Sequence, residues 1–579
     1  MRNDKNKKRI AILGGGPSGL FMYKRLIEYG STELEITIFE RKSILGAGMP
    51  YSNEGANDEH VTNVSDNEIP EIVNSIEEWL QTAPQELLER FNINPEKFNE
   101  YKVLPRILFG YYLSSQFELL QEIATLKGIK TTILYQTNVK DIIYNQDEKT
   151  ATIVTENNRE EFDHAIICTG HNWPIRYEGK VKGYFDAPYP PAKLALKLNH
   201  AVAVRGSSLT AIDAIRTLAR CNGTFIKEED GSLHYEKAVD SPDFKIVIHS
   251  RSGMLPAVRF HLEDSHLSND SLLTREEIDE HRKQNDGFLS LDFVFKNNFK
   301  EIFRTKDPDF YNRIKDLSIE EFVEEMMELR ERLDPFQLLK AEYIQAEKSI
   351  KRQESIYWKE MLAVLSFAMN HPAKYLSAED MQRLQKVLMP LISIVIAFVP
   401  QKSCSELLAM HHAGALDITA VNQDSSVEPQ HGGGILYKYL DENQNQKSEY
   451  YNTFVDCIGQ PHLSFDDFPF KTLLNQKAVS PARLKFKSNE LANAAIEGGN
   501  DLVEKNLDGS YSLKVSGIAI NDDFQIIDQY GAYNESIYIM AVPYIGGFNP
   551  DYSGLDFCEA ASLRIVENLY NEEVFLKAN

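Results

Sequence analysis

The feature that most constrains the fold is a glycine-rich turn near the start of the chain. The stretch RIAILGGGPSGLFMYKRLIEYG, residues 9 to 30, places three glycines in G-x-G-x-x-G spacing between a short apolar run and a run with helical spacing. The first glycine of such a strand–turn–helix unit permits a tight turn, the second lets a pyrophosphate approach the backbone, and the third lets helix and strand pack closely. The helix N-terminus then offers free N–H groups and a positive dipole end to phosphates. The candidate cofactor-binding residues of this turn are Gly14, Gly16, Pro17, Ser18 and Gly19.

A carboxylate in the next strand-like run strengthens this interpretation. The run LEITIFERK ends in Glu40, about 20 residues beyond the third glycine, where a carboxylate can accept both hydroxyls of an adenosine ribose. The two features together predict a dinucleotide site. The alternative is a glycine turn in some other kind of α/β unit.

Size, charge and cysteine content narrow the class of protein. A chain of 579 residues with 42% hydrophobic and 26% charged residues predicts two or three globular domains. The net charge of −24 argues against a nucleic-acid partner, because phosphates would be repelled. The 5 cysteines stand singly without a C-x-x-C pair, which disfavours a dithiol reductase and a cysteine zinc site and suits a reducing cytoplasm. The histidines show no metal-binding spacing, so we expect no metal.

No stretch predicts a membrane span. The first ten residues are basic, but no apolar core precedes the first strand, so we expect no signal peptide. The longest apolar run, LMPLISIVIAFVP at 388–400, is too short to cross a bilayer and predicts a buried helix. A role at a membrane surface is the alternative for this run.

A second strand–turn–helix pattern lies at HAVAVRGSSLTAIDAIRTLAR, residues 200 to 220. Its turn keeps Gly206 and places Ser208 and Ala211 where the other two glycines would fall. Small residues do the same steric job less completely, and the hydroxyls of Ser207 and Ser208 can bond phosphate. The alternative is a Rossmann-like half that has lost its ligand.

The strand after this second turn lacks an acid. FKIVIHSRSG, residues 244 to 253, ends in Ser-Arg-Ser, with Arg251 at its centre. An acid there suits the free 2′-hydroxyl of NAD, whereas an arginine suits the 2′-phosphate of NADP. We therefore expect this site to prefer NADPH. Two further strand-like runs, at 162–174 and 451–461, would close the two nucleotide domains.

With these motifs placed, the sequence resembles flavoproteins with two dinucleotide-binding domains, including glutathione-reductase-like enzymes and class B flavin monooxygenases. It looks most like bacterial FAD/NAD(P)-binding proteins distantly related to N-hydroxylating monooxygenases. The similarity covers most of the chain and is specific for fold and cofactor, not for a reaction. The motifs that carry it are GGGPSG, LGAGMPYS, HVTNVSDNE, LPRILFGYYL, IICTGH, VRGSSLTAIDAI and SRSGMLP.

The resemblance implies FAD in the first site and a role for further residues. Arg41 would lie beside the adenosine, Asn63 near the flavin ring, and the backbone of Val139 near the adenine. Thr169 and Gly170 would lie near the pyrophosphate.

The resemblance leaves alternatives open for the C-terminal flavin segment and for Arg106. The segment at 538–557 would stand beside the flavin, although its usual glycine-aspartate is replaced by AVP, with Asp551 and Asp556 as alternative substitutes. Arg106 would contact the flavin or a substrate anion, with a plain helix-surface arginine as the alternative.

One departure from the resembled group concerns the Baeyer–Villiger motif F-x-G-x-x-x-H-x-x-x-W/P. The run VKGYFDAPYPP matches it only at Gly183 and Pro191, while Val181 replaces the aromatic residue and Ala187 the histidine. This lowers the expectation of Baeyer–Villiger chemistry.

Residues 257 to 400 are rich in charge and in helical pattern, and three serines stand in capping positions at Ser75, Ser318 and Ser377. The sequence predicts a helical insertion that covers the active site, or alternatively a solvated appendage for contacts. The predicted parts are 1–198 (FAD domain, first part), 199–256 (NADP domain, first part), 257–400 (helical insertion), 401–470 (NADP domain, second part) and 471–579 (FAD domain, C-terminal part).

The predicted fold is α/β, with two Rossmann-like domains, one for FAD and one for NADP, and a largely helical insertion. We expect a cytoplasmic FAD-dependent NADPH oxidoreductase, a monooxygenase that hydroxylates a small organic substrate through a flavin hydroperoxide. The alternatives are an FAD-dependent NAD(P)H reductase of an organic acceptor and a non-catalytic nucleotide-sensing or partner-binding flavoprotein. His60, His411 and His412 are candidates for acid–base work, but a lone histidine is more often structural, so the catalytic side chains and the oligomeric state stay open.

Overall fold

Two parallel β-sheets, each carrying one of the two predicted turns, form the centre of the protein. The computed structural model describes residues 7–30, 32–170, 173–263, 272–370, 372–441, 443–460, 462–550 and 554–578. The elements before residue 200 are β1 (Lys8–Leu13), α1 (Pro17–Tyr29), β2 (Leu34–Phe39), β3 (Val61–Ser65), α2 (Ile76–Leu80), α3 (Gln85–Phe91), β4 (Val103–Pro105), α4 (Arg106–Leu126), β5 (Lys130–Leu134), β6 (Asp141–Asn145), β7 (Thr150–Val154), β8 (Arg159–Phe162), β9 (His164–Ile167) and β10 (Tyr184–Phe185).

A short α/β stretch is followed by a long helical region. The α/β stretch consists of β11 (Ala201–Arg205), α5 (Leu209–Asn222), β12 (Gly223–Lys227), β13 (Leu233–Lys237) and β14 (Lys245–Ser250). The helices that follow are α6 (Arg275–Gln284), α7 (Leu291–Asn298), α8 (Phe303–Lys306), α9 (Pro308–Ile314), α10 (Ile319–Arg332), α11 (Pro335–Arg352), α12 (Tyr357–Met369), α13 (Ala378–Arg383), α14 (Met389–Val395) and α15 (Gln401–His412).

The last third of the chain returns to strands and ends in a long helix. Its elements are β15 (Leu416–Ala420), β16 (Ser426–Pro429), β17 (Ile435–Leu440), β18 (Gln446–Tyr451), β19 (Thr453–Asp456), α16 (Lys471–Asn475), β20 (Pro481–Lys485), α17 (Asn489–Glu497), β21 (Val503–Lys505), β22 (Tyr511–Ile518), β23 (Gln525–Ile527), β24 (Tyr533–Ile539) and α18 (Leu555–Ala578).

The first sheet has the strand order β23-β24-β9-β1-β2-β5. Its strands are parallel except for the antiparallel pair of β23 and β24. In this register Leu13 lies opposite Phe39 on β2 and Ile167 on β9. The apolar residues of β1 are buried, as expected for the central strand of a sheet covered on both faces. Because β24 pairs with β9, the sheet joins the two ends of the chain.

The second sheet has the order β10-β19-β11-β14-β15 and is parallel throughout. Strand β11 lies between β14 and β19, as β1 lies between β2 and β9 in the first sheet. The short strand β10 belongs to this sheet although it precedes residue 199, where the sequence places the start of the second domain. The predicted α/β fold with two Rossmann-type units and a helical middle region is confirmed; the domain boundaries remain a prediction.

The predicted helix starts are present where the sequence places them. The Ser318 hydroxyl accepts from the Glu321 N–H at 3.1 Å, and the Glu321 carboxylate accepts from the Ser318 N–H at 2.7 Å. Ser75 caps α2 in the same reciprocal way, and Ser377 accepts from the N–H of Asp380 at 3.1 Å. These local bonds satisfy N–H groups that a helix start would otherwise leave open.

The helical region packs against both sheets. One apolar core contains Ile12 and Ile38 of the first sheet together with Leu362 and Leu391 of the helices. A second core contains Val202 and Val204 of the second sheet together with Phe336 of α11 and apolar residues of α15. In the apolar run at 388–400, α14 is a short buried helix ending at Val395. Among the described residues, no helix has both the length and the apolar character needed to cross a membrane.

Candidate functional site

The first turn is pressed against the end of strand β9. Gly14 has a φ of +110°, and a Cβ added to it would lie 2.8 Å from the carbonyl oxygen of Cys168. The N–H of Gly14 donates to the carbonyl of Phe39 at 2.9 Å. A Cβ added to Gly19 would lie 2.1 Å from the carbonyl oxygen of Gly14, so helix α1 approaches the turn as closely as a glycine allows. The steric roles predicted for the first and third glycines thus match the geometry of the turn.

Helix α1 begins directly at this turn without a side-chain cap. Gly16 is its N-cap residue, Pro17 occupies the first helical position, and the described part of the chain provides no side-chain capping bond here. A Cβ added to Gly16 would lie 3.2 Å from the Cα of Gly48. The Ser18 hydroxyl lies 3.4 Å from the sulfur of Cys558 at the start of α18. An uncapped helix start with a bare backbone beside it is the arrangement that binds a pyrophosphate.

Glu40 closes the first turn on the side of β2. Its carboxylate is buried and accepts the N–H of Gly15 through Oε2 and the N–H of Lys42 through Oε1, both at 2.8 Å. Each oxygen keeps further lone-pair capacity, which is what two ribose hydroxyls require. The neighbouring Arg41 is exposed and stands 3.7 Å from Glu54.

The other residues predicted for the first site lie around the same end of the sheet or beside it. Thr169 follows β9, and its buried Oγ1 has no hydrogen-bond partner in the described part of the chain. Gly170 has open space where a side chain would stand. Val139 is half-buried. It lies two residues after Thr137, whose N–H donates to the carbonyl of Glu40 at 2.9 Å. Asn63 lies exposed on β3.

The second turn repeats the backbone of the first. Gly206 has a φ of +100°, and a Cβ added to it would lie 2.7 Å from the carbonyl oxygen of Cys457, which follows β19. Its N–H donates to the carbonyl of His249 at 2.8 Å, as Gly14 donates to Phe39. Ala211 is fully buried in the first turn of α5, so this helix leaves room for one methyl group. By position, Gly206, Ser207 and Ser250 correspond to Gly14, Gly15 and Glu40.

The side chains around the second turn are hydroxyls and a cation. Ser208 is the N-cap residue of α5 but makes no capping bond with its side chain. The Ser207 hydroxyl donates to that of Ser250 at 3.4 Å, in the place where Gly15 bonds Glu40 in the first turn. Arg251 is exposed and has no ion pair within the described ranges. The structure therefore brings the four predicted residues of the second site to one sheet end.

Arg106 lies in a contact between the two units. Its guanidinium pairs with Asp213 of α5 and donates from Nε to the carbonyl of Val61 at 3.1 Å. The Tyr189 hydroxyl donates to the same carboxylate at 2.7 Å. Burial opposes ionisation of Asp213, but the charge of Arg106 and the hydrogen bonds from Tyr189 and Arg106 act together against it, and the pKa of that carboxyl is lowered. Sequence reasoning missed Asp213 and Tyr189, because nothing local marks a partner 107 residues away from Arg106.

Two of the three candidate histidines, His60 and His411, make contacts within the fold. His60 is fully buried; its Nδ1 accepts the N–H of Asn57 at 3.1 Å, and Nε2 lies 3.1 Å from both the Asp213 carbonyl and the Thr217 hydroxyl. Burial lowers the pKa of His60, so the ring is neutral. The His411 ring stacks on Phe336 with centroids 3.7 Å apart.

The cysteines and the remaining motifs add no further reactive centre. All 5 cysteines are free, and burial raises the pKa of Cys168 and Cys457, as it raises that of Cys558 to about 12. The described residues contain no cluster of histidine, cysteine, aspartate and glutamate that could hold a metal. Ala187 is buried. Asp551, one of the two candidates for the C-terminal flavin segment, lies outside the described residues, and Asp556 lies in the first turn of α18.

Comparison with known proteins defines the class. Residues 11–172, which contain the first turn, Glu40 and Thr169, match the FAD-NAD(P)-binding family model. The chain therefore carries an FAD/NAD(P)-binding domain, and the resemblance to such proteins is confirmed. Residues 274–396 match the YdhS-like middle domain.

One curated relative matches most of the chain. The uncharacterized protein YdhS of Escherichia coli (strain K12) is 29% identical over 478 residues, which cover 81% of this chain and 86% of that protein. Among solved structures, the ornithine N-hydroxylase of Kutzneria sp. 744 is 12% identical, with coverage of 98% and 100% and a TM-score of 0.47. The bacillithiol disulfide reductase Bdr of Staphylococcus aureus is 10% identical, with coverage of 98% and 99% and a TM-score of 0.42.

Proposed function

We propose that the protein is an FAD-dependent oxidoreductase that takes NADPH as its reductant and oxygenates a small organic molecule. The observation that carries this proposal is the pair of turns at Gly14 and Gly206. They share one backbone geometry but end in different side chains, Glu40 in the first and Ser250 with Arg251 in the second. Two turns of one kind with different ribose-side chemistry suit two different dinucleotides.

The first turn fits FAD. The uncapped start of α1 and the bare backbone at Gly16 would receive the pyrophosphate, and the buried Glu40 carboxylate would accept the ribose hydroxyls. The buried Oγ1 of Thr169, which has no partner in the described part of the chain, would donate to a phosphate oxygen. An unpaired buried hydroxyl is costly, so a bound phosphate would remove a penalty that the free protein carries.

The second turn fits NADPH better than NADH. Arg251 follows the strand end where NAD-binding units carry an acid, and it is exposed and free to pair with a 2′-phosphate. The hydroxyls of Ser207 and Ser208 would bond the pyrophosphate at the start of α5. We expect the second turn to bind more weakly than the first, because Ser250 stands in the place of the buried Glu40 carboxylate.

Oxygenation suits the side chains better than thiol chemistry does. The buried cysteines have raised pKa values and form no pair, so no thiolate is available to carry electrons to a disulfide. A flavin supplies the redox chemistry itself when bound, and the protein binds, orients and excludes water. In the balanced reaction NADPH, a proton, O₂ and the substrate give NADP⁺, water and the substrate with one added oxygen atom.

The experiment is a visible spectrum of the purified protein, followed by NADPH without oxygen and then by air. We expect flavin absorption that NADPH bleaches faster than NADH does, with Arg251→Gln removing that preference. Absence of flavin after mild purification, and again after addition of FAD, would refute the proposal.

The reaction of the reduced protein with O₂ distinguishes the remaining alternatives. An oxygenase should consume O₂ with transfer of oxygen to product once a substrate is supplied, whereas a reductase of an organic acceptor should pass electrons to that acceptor and leave O₂ unused. A protein that binds both nucleotides but shows no bleaching with any acceptor would be a nucleotide sensor. Glu86→Gln, an exposed change on α3, serves as the control for purification and handling.

A further inference from the structure

A cavity of about 310 Å³ lies where the helical middle region meets the C-terminal helix. Its volume is at the lower end of the range for small-molecule pockets, ~300–1,000 Å³. The wall is formed by α6, the end of α12, the loop before β23 and one face of α18. Most of the lining is apolar, including Ile278, Phe367, Phe524, Phe548 and Phe557.

The charged groups on this wall are paired with one exception. Lys374 lies 2.5 Å from Asp522, and the Tyr375 hydroxyl donates to the same carboxylate at 2.6 Å. Arg275 stands 3.8 Å from Asp523, which also accepts from Asn568 at 3.3 Å. Asp522 and Asp523 are therefore already engaged.

Arg564 is the exception. It projects from α18 into the wall, its Nη1 is buried, and within the described residues it has no ion pair and no hydrogen-bond partner for that nitrogen. Burial and the neighbouring charge of Arg275 lower the pKa of Arg564 to about 10, although the carboxylates of Asp522, Asp523 and Glu567 act in the opposite direction. A buried guanidinium nitrogen without a hydrogen-bond partner beside an apolar cavity is unfavourable in the free protein, and an anion placed against it would offset the cost.

We propose that this cavity binds an organic monoanion with an apolar body, its carboxylate paired with Arg564 and its body against the phenylalanines. The planar guanidinium matches a carboxylate with two parallel hydrogen bonds. The engaged acids Asp522 and Asp523 disfavour a second negative charge, and nothing on the wall offers a free carboxylate for an amine. This proposal does not depend on the proposed oxidoreductase activity, because it concerns binding at residues distinct from the two turns.

The test is calorimetric titration of the full-length protein, as purified, with octanoate, octanamide, octylamine and inorganic phosphate. We expect octanoate to bind at one site, at least about tenfold more tightly than octanamide, because a charged hydrogen bond is lost with the amide. Octylamine and phosphate should bind more weakly still, the first for its charge and the second for lack of an apolar body. Equal binding of octanoate and octanamide, or no saturable binding of octanoate, would overturn the proposal.

The matched variants are Arg564→Gln, Arg564→Lys and Arg90→Gln. Arg564→Gln should weaken octanoate binding at least about tenfold, and Arg564→Lys should restore part of it. Arg90 is an exposed arginine of α3, paired with Asp58, and it does not line the cavity, so its change should leave binding as in the wild type. Unchanged octanoate binding in Arg564→Gln would contradict the assignment.

Stability gives a readout that does not require the ligand. Because the buried Nη1 of Arg564 has no hydrogen-bond partner among the described residues, Arg564→Gln should leave the Tm of the free protein equal or higher, whereas Lys374→Met should lower it by removing a direct partner of Asp522. Octanoate should then raise the Tm of the wild type and not that of Arg564→Gln. A marked fall in the Tm of Arg564→Gln would show that the arginine serves the fold rather than a ligand.

Discussion

The two glycine turns have the same backbone geometry but differ in whether the following helix has room for a side chain. In each, a glycine with positive φ lies under the carbonyl of a cysteine that ends a neighbouring strand, Cys168 for Gly14 and Cys457 for Gly206. Only in the first turn does the helix come so close that Gly19 has no room for a Cβ; in the second, Ala211 fits. The positive-φ position is thus fixed by the fold, while the later small positions depend on how closely each helix approaches its strand.

The largest expected effect tests that difference in helix distance. Gly19→Ala places a methyl group 2.1 Å from the carbonyl oxygen of Gly14, so we expect about 1–3 kcal/mol lower stability, or more, together with loss of FAD. The reverse change in the second unit, Ala211→Gly, should cost only about 1 kcal/mol through helix propensity. Urea unfolding with flavin absorbance measures both. Equal losses in the two variants would mean that the helices stand at the same distance.

The next effect separates the cofactors by position within each turn. Gly16→Val fills the space beside Gly48 that the pyrophosphate needs, so FAD binding should weaken on the order of a hundredfold while the fold persists. Ser208→Val is the matched change in the second turn and should weaken NADPH alone. Flavin titration and NADPH titration of both variants provide the check, and full flavin retention in Gly16→Val would remove FAD from the first turn.

A smaller effect concerns the residues that end the second strand of each unit. Glu40→Gln should weaken FAD about tenfold or more, since a charged acceptor of hydrogen bonds is lost. Arg251→Gln should raise the KM for NADPH about tenfold and leave that for NADH unchanged. Steady-state kinetics with both nucleotides decides the point: equal changes for NADPH and NADH would mean that Arg251 does not contact the 2′-phosphate.

The smallest effect lies at the residue after each cysteine. Thr169→Val removes the orphaned hydroxyl and should weaken FAD by about 1 kcal/mol, roughly fivefold. Ile458 occupies the corresponding place in the second unit and is exposed. Ile458→Thr should therefore leave FAD binding unchanged. Fluorescence titration with FAD can resolve this difference. Tighter FAD binding by Thr169→Val would show that the hydroxyl faces away from the phosphates.

Local patterns were sufficient to predict the parts of the fold that depend on short stretches of chain. The strands and helices at both turns and the capping serines at 75, 318 and 377 follow from spacing within a few residues, because helix caps and strand periodicity are local properties. The short buried helix in the run at 388–400 follows from its length and apolar character.

Contacts between distant segments could not be predicted in the same way. The role suggested for Arg106 left a cofactor or substrate contact and a plain surface arginine open, and the structure shows a buried pair with Asp213. The isolated histidines likewise could not reveal that His60 bonds across to α5. Neither contact has a sequence signature, since each depends on how two units meet.

The sequence by itself determined that this chain has two strand–turn–helix units, an acid after one and an arginine after the other, and a helical middle region. Those features depend on residue type and short-range spacing, which the order of amino acids encodes directly. Only the tertiary structure decided that Cys168 and Cys457 close the two turns, that Ala211 has room where Gly19 has none, and that Arg564 borders an apolar cavity with its Nη1 buried and unpartnered among the described residues. These depend on packing between segments far apart in the chain, where small shifts in distance decide whether a methyl group or a ligand fits.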